Sequence, residues 1–170
     1  MDPRTAGGLP TLLESTLLTM RPANHERMRH DLRTLAARLP DEAEDPLGRL
    51  MALGERVGAA FTTTPLDAAA AEAELDPERV LTLRHGDPLL VAALVAAVGQ
   101  RRGWSVAVIG STRRALVGHT LCGPPFVISV TDGGRVVDAH DYAGEGDLFW
   151  RCPHEIAYAL EARRRAADQR

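Results

Sequence analysis

Ten consecutive apolar residues, Leu89 to Val98, follow an Asp87-Pro88 pair and constrain this chain more than any other feature. Aspartate before proline marks a helix start: the carboxylate accepts from the first unpaired N–H groups, and proline's fixed φ and missing N–H suit the first turn. Gly103 marks the stop, since glycine readily takes the left-handed conformation that ends helices. A helix apolar on every side has no face to give to water, so the rest of the chain must enclose it. The run is about half of the roughly 20 residues that a bilayer crossing requires, which predicts a core helix and no membrane span.

The segments before it supply helices to do the enclosing. Met1 to Gly8 reads as a loose leader, and residues 9–85 as a helical part. Leu9 to Thr19 carries an apolar stripe and stops at Pro22; Asn24 caps a second helix whose Met28, Leu32, Leu35 and Leu39 recur at helical spacing until Pro40. Asp45-Pro46 opens a third helix running to Phe61, closed by Thr62 to Pro65. The alanine-rich Leu66 to Leu75 is expected to be helical, and Asp76-Pro77 starts another short helix, so the first half is predicted to be all helix.

Beyond Gly103 the apolar period changes from helical to alternating. Strands are expected at Trp104–Ile109, Ala115–Leu121, Phe126–Val130 and Arg135–Asp138, with a hairpin turn at Thr131-Asp132-Gly133-Gly134. Glu155 to Arg165 reads as a terminal helix fraying into Ala166 to Arg170. The fold class is therefore α+β: a helical N-terminal half, then a central buried helix packed on a small antiparallel sheet (residues 86–165). At 170 residues, with no linker or repeat, one domain spanning 1–170 is expected.

Net charge is −3, so no global positive field is available to hold a phosphate backbone, and nucleic acid is not an expected partner. The clusters Arg101-Arg102, Arg113-Arg114 and Arg163-Arg164-Arg165 read as solvated faces. Two cysteines, Cys122 and Cys152, are too few for a disulfide framework, which points to a reducing, cytoplasmic setting. No cofactor is implied: Thr131–Gly134 and Ala143–Gly146 are turns without the directly following helix that a phosphate loop needs. His140, Asp141, Cys152 and His154 are ligand types in no recognised ligand spacing, so no metal is read from them.

Gly86-Asp87-Pro88 opening an apolar helix, then Gly103, then a hairpin leading into Val136-Val137-Asp138, together resemble the transglutaminase-like domain of SirB-type proteins. The resemblance spans roughly Leu9 to Arg163 and implies a transglutaminase-like, papain-like core. In active members of the wider superfamily it implies a cysteine at the start of the central helix, a histidine at the start of a strand and an aspartate at the end of the next. A thiolate at a helix N-terminus has a lowered pKa, an imidazole takes its proton and a carboxylate orients the imidazole. Here the cysteine position falls at or beside Pro88, which offers no nucleophile, a departure that the SirB-type branch tends to share. The histidine position falls either at His119 or, in the register with the better spacing to Asp138, at Pro125. Asp138 is retained in both registers.

The expected function is accordingly that of a non-catalytic transglutaminase-like pseudoenzyme that binds a protein or peptide partner. Asp138, His140, Asp141 and Tyr142 cluster at the expected mouth of the sheet, where they form either a recognition surface or a hydrogen-bonded loop. The alternative is a cysteine hydrolase or acyl transferase with a rearranged Cys122, His119 and Asp138 site. A homo-oligomer is a third reading. No Gly-x-Ser-x-Gly elbow accompanies Ser111 or Ser129.

Overall fold

The computed structural model describes residues 11–20, 24–43, 45–110, 114–121, 125–145 and 148–170. The expected leader Met1–Gly8, the helix start at Leu9 and Cys122 lie outside the described residues.

The apolar run is the helix α5 (Pro88–Arg101), and every residue from Pro88 to Gly99 is buried. Asp87 caps it, accepting from the Leu89 N–H at 2.9 Å, and Gly103 follows its end at φ +74°. Each leucine buried here contributes roughly 2 kcal/mol by removing apolar surface from water. On one side lie α1 (Leu12–Met20), α2 (His25–Ala36), α4 (Pro77–Leu83) and α6 (Pro153–Asp168). On the other side lies a sheet of β3 (Val106–Gly110), β4 (Ala115–His119), β5 (Phe126–Ser129), β6 (Arg135–Asp138) and β7 (Phe149–Trp150), ordered β6-β5-β4-β3-β7 and antiparallel throughout. The class is α+β.

α3 (Pro46–Arg56) packs across β4, β5 and β6, and its Gly54 and the following Gly58 sit close against the turn between β5 and β6. A Cβ on Gly54 would stand 2.1 Å from the Gly134 carbonyl oxygen, and one on Gly58 3.0 Å from the Gly134 Cα. The turn that carries Gly134 is a 3₁₀ turn at Val130–Asp132 followed by Gly133 and Gly134, at φ +66° and +78°. Glycine meets both needs at Gly134, since its φ is left-handed and its Cα lies close against Gly58, just past the end of α3.

The first half is not all helix. Phe61 has left α3, and Thr62–Thr63 (β1) pairs in parallel with His85–Gly86 (β2). Leu66–Leu75 is not a helix either: turns lead to a 3₁₀ helix at Glu72–Leu75, where the Glu74 carboxylate accepts from the Ala71 N–H at 2.6 Å. Alanine's helix propensity is outweighed there by tertiary pairing, because the Asp87 N–H is satisfied by the Glu74 carbonyl and β1 must reach β2. β7 was not expected from its two residues, and α6 begins two residues before Glu155 and runs past Arg165 to Asp168.

Two of the arginine clusters read as solvated faces hold the helices together. Glu14, fully buried on α1, receives two hydrogen bonds from Arg101 at 2.7 and 2.8 Å. Arg102 reaches Asp41 and the Pro40 carbonyl. Arg163 pairs with Asp87, and Arg164 with Glu161 and the Met20 carbonyl.

Candidate functional site

The chain leaves the end of α5 and turns straight back, with the Trp104 N–H bonded to the Gly99 carbonyl and the Gln100 side chain to the Val106 carbonyl. β3 therefore starts beside the end of α5 and finishes, at Gly110, beside its start. β4 begins there and runs away again, β5 returns and β6 runs away. The end of the sheet beside Pro88 thus holds Gly110, Ala115 and Ser129, and the opposite end holds His119, Phe126 and Asp138.

At the Pro88 end a cleft of ≈ 920 Å³ opens between α5, the 65–70 loop, the β3 and β4 ends and α6. Its apolar lining is small, with Ala68, Ala69, Ala70, Ala159 and Ala166 around Leu89 and Ile156. Four arginines also line it: Arg114, Arg151, Arg163 and Arg170. Arg163 Nη1 contacts both carboxylate oxygens of Asp87 at 2.6 Å, so α6 is tied to the start of α5. Glu155, also in the lining, caps α6 by accepting from the Cys152 N–H at 2.9 Å, and that bond holds its carboxyl below the usual range against the small opposing effect of burial.

Arg114 lies over the Tyr142 ring, 4.5 Å from its centre, and Arg151 over Phe149 at 5.2 Å. Such stacking orients a guanidinium plane over the face of the ring. Behind Arg114, the Tyr142 hydroxyl donates to Asp132 at 3.2 Å, and the Asp132 carboxylate also accepts from Ser129 at 2.7 Å.

The residues singled out in the sequence fall elsewhere. Asp138 pairs with Phe126 at the sheet end away from Pro88, and its carboxylate accepts from the His140 N–H at 2.9 Å and meets His140 Nδ1 at 2.8 Å. These bonds to His140 hold the Asp138 carboxyl below its usual range. Asp141 is exposed in the same 3₁₀ segment, and Tyr142 turns inward against Ile109, Leu116 and Val127 on the outer face of the sheet. Asp138 and His140 are together; Tyr142 joins Arg114 and Asp132 instead. None of Asp138, His140, Asp141 and Tyr142 lines the cleft.

His119 is 1% exposed, its Nδ1 accepts from the Leu121 N–H at 3.3 Å, and its Nε2 has no partner among the described residues. Burial pushes its pKa down, and the Arg49 charge adds to this. Continuing the strand register places His119 and Asp138 on either side of Phe126, two strand spacings or about 10 Å apart. Pro125 sits beside Phe126 at that same end. Cys152 is exposed before α6, and among the described residues no three side chains of metal-ligand type come together.

One further cluster escaped the sequence reading. His85 Nδ1 meets the Thr62 hydroxyl at 2.9 Å and His85 Nε2 meets Glu74 at 3.0 Å. It clasps β1, β2 and the Glu72–Leu75 turn, outside the cleft. The Asp87–Arg163 pair also escaped, although a capping aspartate on a helix with no exposed face signals that a partner must come from elsewhere.

Comparison with protein-family models, curated proteins and solved structures finds no match. Among the described residues no helix is long and apolar enough to cross a membrane.

Proposed function

We propose that this chain is a non-catalytic, transglutaminase-like module that binds a peptide segment of a protein partner in the cleft at the start of α5, in a cytoplasmic setting. The observation that carries the reading is the place of the cleft. It opens where the resemblance puts a nucleophile, and Pro88 stands there with neither thiol nor hydroxyl among the described lining residues.

The strand order suggests how the resemblance maps. The strand that starts beside Pro88 is β4, entered through Arg114 and Ala115, and the next strand, β5, ends at Ser129 three residues before Asp132. On this reading the histidine position is held by Arg114 or Ala115 and the aspartate position by Asp132 rather than Asp138. A cation that cannot act as a base at neutral pH supports binding over proton transfer. The rearranged Cys122, His119 and Asp138 site gains no support from a buried His119 whose described contacts include no carboxylate.

Ala69 is exposed on the cleft wall, so Ala69→Trp fills the cleft without touching the core. Capture from a random peptide library by the full chain, lost in Ala69→Trp, is the expected result. Equal capture by both proteins, or amide or ester turnover that disappears in Cys122→Ser, contradicts the reading.

A further inference from the structure

We infer that Thr62 is a reactive hydroxyl that takes up an acyl group from short activated esters, with His85 as its base and Glu74 positioning His85. The three side chains lie outside the cleft, so the inference stands apart from the peptide-binding reading. Thr62 Oγ1 is 2.9 Å from His85 Nδ1, and His85 Nε2 is 3.0 Å from Glu74 Oε1. A hydroxyl within hydrogen-bond reach of an imidazole that a third group orients is the arrangement of an activated nucleophile, and it recurs on unrelated folds.

Three separate pieces of chain build the cluster. Thr62 is on β1, and Glu74 comes from the 3₁₀ turn at Glu72–Leu75. Arg84, at a left-handed φ of 56°, ends α4 and turns the chain into β2, where His85 pairs with Thr62. Main-chain bonds already hold these pieces: the Thr62 N–H reaches the Arg84 carbonyl and the Asp87 N–H reaches the Glu74 carbonyl, each at 2.8 Å. The hydroxyl–imidazole–carboxylate relay is additional to them.

The carboxylate decides where the protons sit. Glu74 Oε2 accepts from the Ala71 N–H at 2.6 Å, which leaves Oε1 for the ring. Partial burial raises the Glu74 pKa, but the bonds from Ala71 and His85 outweigh it and hold the carboxyl below its usual range. A carboxylate only accepts, so Nε2 carries the proton of the neutral ring and Nδ1 offers its lone pair to the Thr62 hydroxyl. The other acceptor of that hydroxyl, the Arg84 carbonyl, is farther away at 3.3 Å. Thr62 is exposed, whereas the His85 and Glu74 side chains are 40% and 22% exposed, so the nucleophile is outermost and the carboxylate innermost.

In the transfer, the bond from Thr62 Oγ1 to the acyl carbon forms and the bond from that carbon to the leaving oxygen breaks. The hydroxyl proton passes to His85 Nδ1, and the leaving oxygen keeps the bonding electron pair. Thr62 stands on the surface outside the cleft, so short acyl groups on good leaving groups are the donors that it fits.

The test treats the full chain with p-nitrophenyl acetate and, separately, with an alkyl fluorophosphonate whose adduct resists water. The chain holds no lysine to compete for either reagent. The expected result is a fluorophosphonate adduct on Thr62 and nitrophenolate release at least about tenfold faster than in Thr62→Val. Thr62→Ser keeps both, and Cys122→Ser leaves both unchanged. Glu74→Gln slows both and removes the preference for the Nε2–H form of His85 in ring-nitrogen NMR shifts, a readout that separates orientation of the ring from a loss of stability. Absence of an adduct at Thr62 in the native chain overturns the inference whether or not Thr62→Val folds. Release that is equally fast in Thr62→Val, or that is lost in Cys122→Ser, overturns it as well.

Discussion

Asp87 and Arg163 are 76 residues apart in sequence and joined by a 2.6 Å contact that fixes the terminal helix across the start of the central one. The carboxylate has two duties, since the same oxygen caps α5 through the Leu89 N–H. Asp87 is 4% exposed, whereas the Arg163 side chain is 45% exposed, so the pair is only partly withdrawn from water. Arg163→Ala is expected to cost about 1–2 kcal/mol, below the figure for a fully buried pair because solvent replaces part of the lost interaction. Asp87→Asn keeps an acceptor for Leu89 and is expected to cost less than Asp87→Ala, which removes cap and pair together. Urea unfolding midpoints of the three variants give the order.

Gly54 and Gly134 supply a steric prediction. Gly54→Ala drives a methyl group onto the Gly134 carbonyl, and backbone cannot swing aside as a flexible side chain can. The expected loss is about 3 kcal/mol or more, at the upper end of overpacking effects. Gly103→Ala is the contrasting case: its φ of +74° is left-handed where Gly54 is helical, but nothing lies within 4 Å of the new methyl, so only conformational strain of about 1 kcal/mol is expected. Thermal unfolding of both variants separates close approach from φ.

These cases show where the sequence was legible. The central helix could be read because its signals are local: Asp87, Pro88 and an unbroken apolar run. The β5–β6 turn could be read for the same reason, from Asp132-Gly133-Gly134. The cleft could not, because its arginines arrive from the β4 entry, the β7 exit, α6 and the residues after α6, and nothing local to Arg163 announces Asp87. The 66–75 segment misled because alanines favour a helix, while the decision lay in the pairing of Thr62 with His85, 23 residues away. Asp138 drew attention by its spacing, yet the strand directions carry it to the sheet end away from Pro88.

His119 makes stability depend on pH in a definite direction. Its folded pKa is below its ordinary value of about 6.5, so the unfolded chain binds more protons than the folded one near that pH. The stability it contributes is present above about pH 6.5 and is lost as pH falls through the lowered folded value. Unfolding midpoints between about pH 7.5 and 5 are expected to fall for the native chain and to fall less steeply for His119→Gln, which keeps an acceptor for the Leu121 N–H without a titrating ring. Parallel slopes for the two proteins would show that His119 titrates alike in both states.

The most direct test of the proposed placement is photo-crosslinking from a bound peptide, followed by identification of the modified residues. The expected result is labelling of the 65–70 loop together with the α6 face around Ala159 and Ala166, the two walls of the cleft at the start of α5. Labelling centred on Asp138, His140 and Asp141, at the far end of the sheet, would contradict that placement and return the site to the cluster first seen in the sequence.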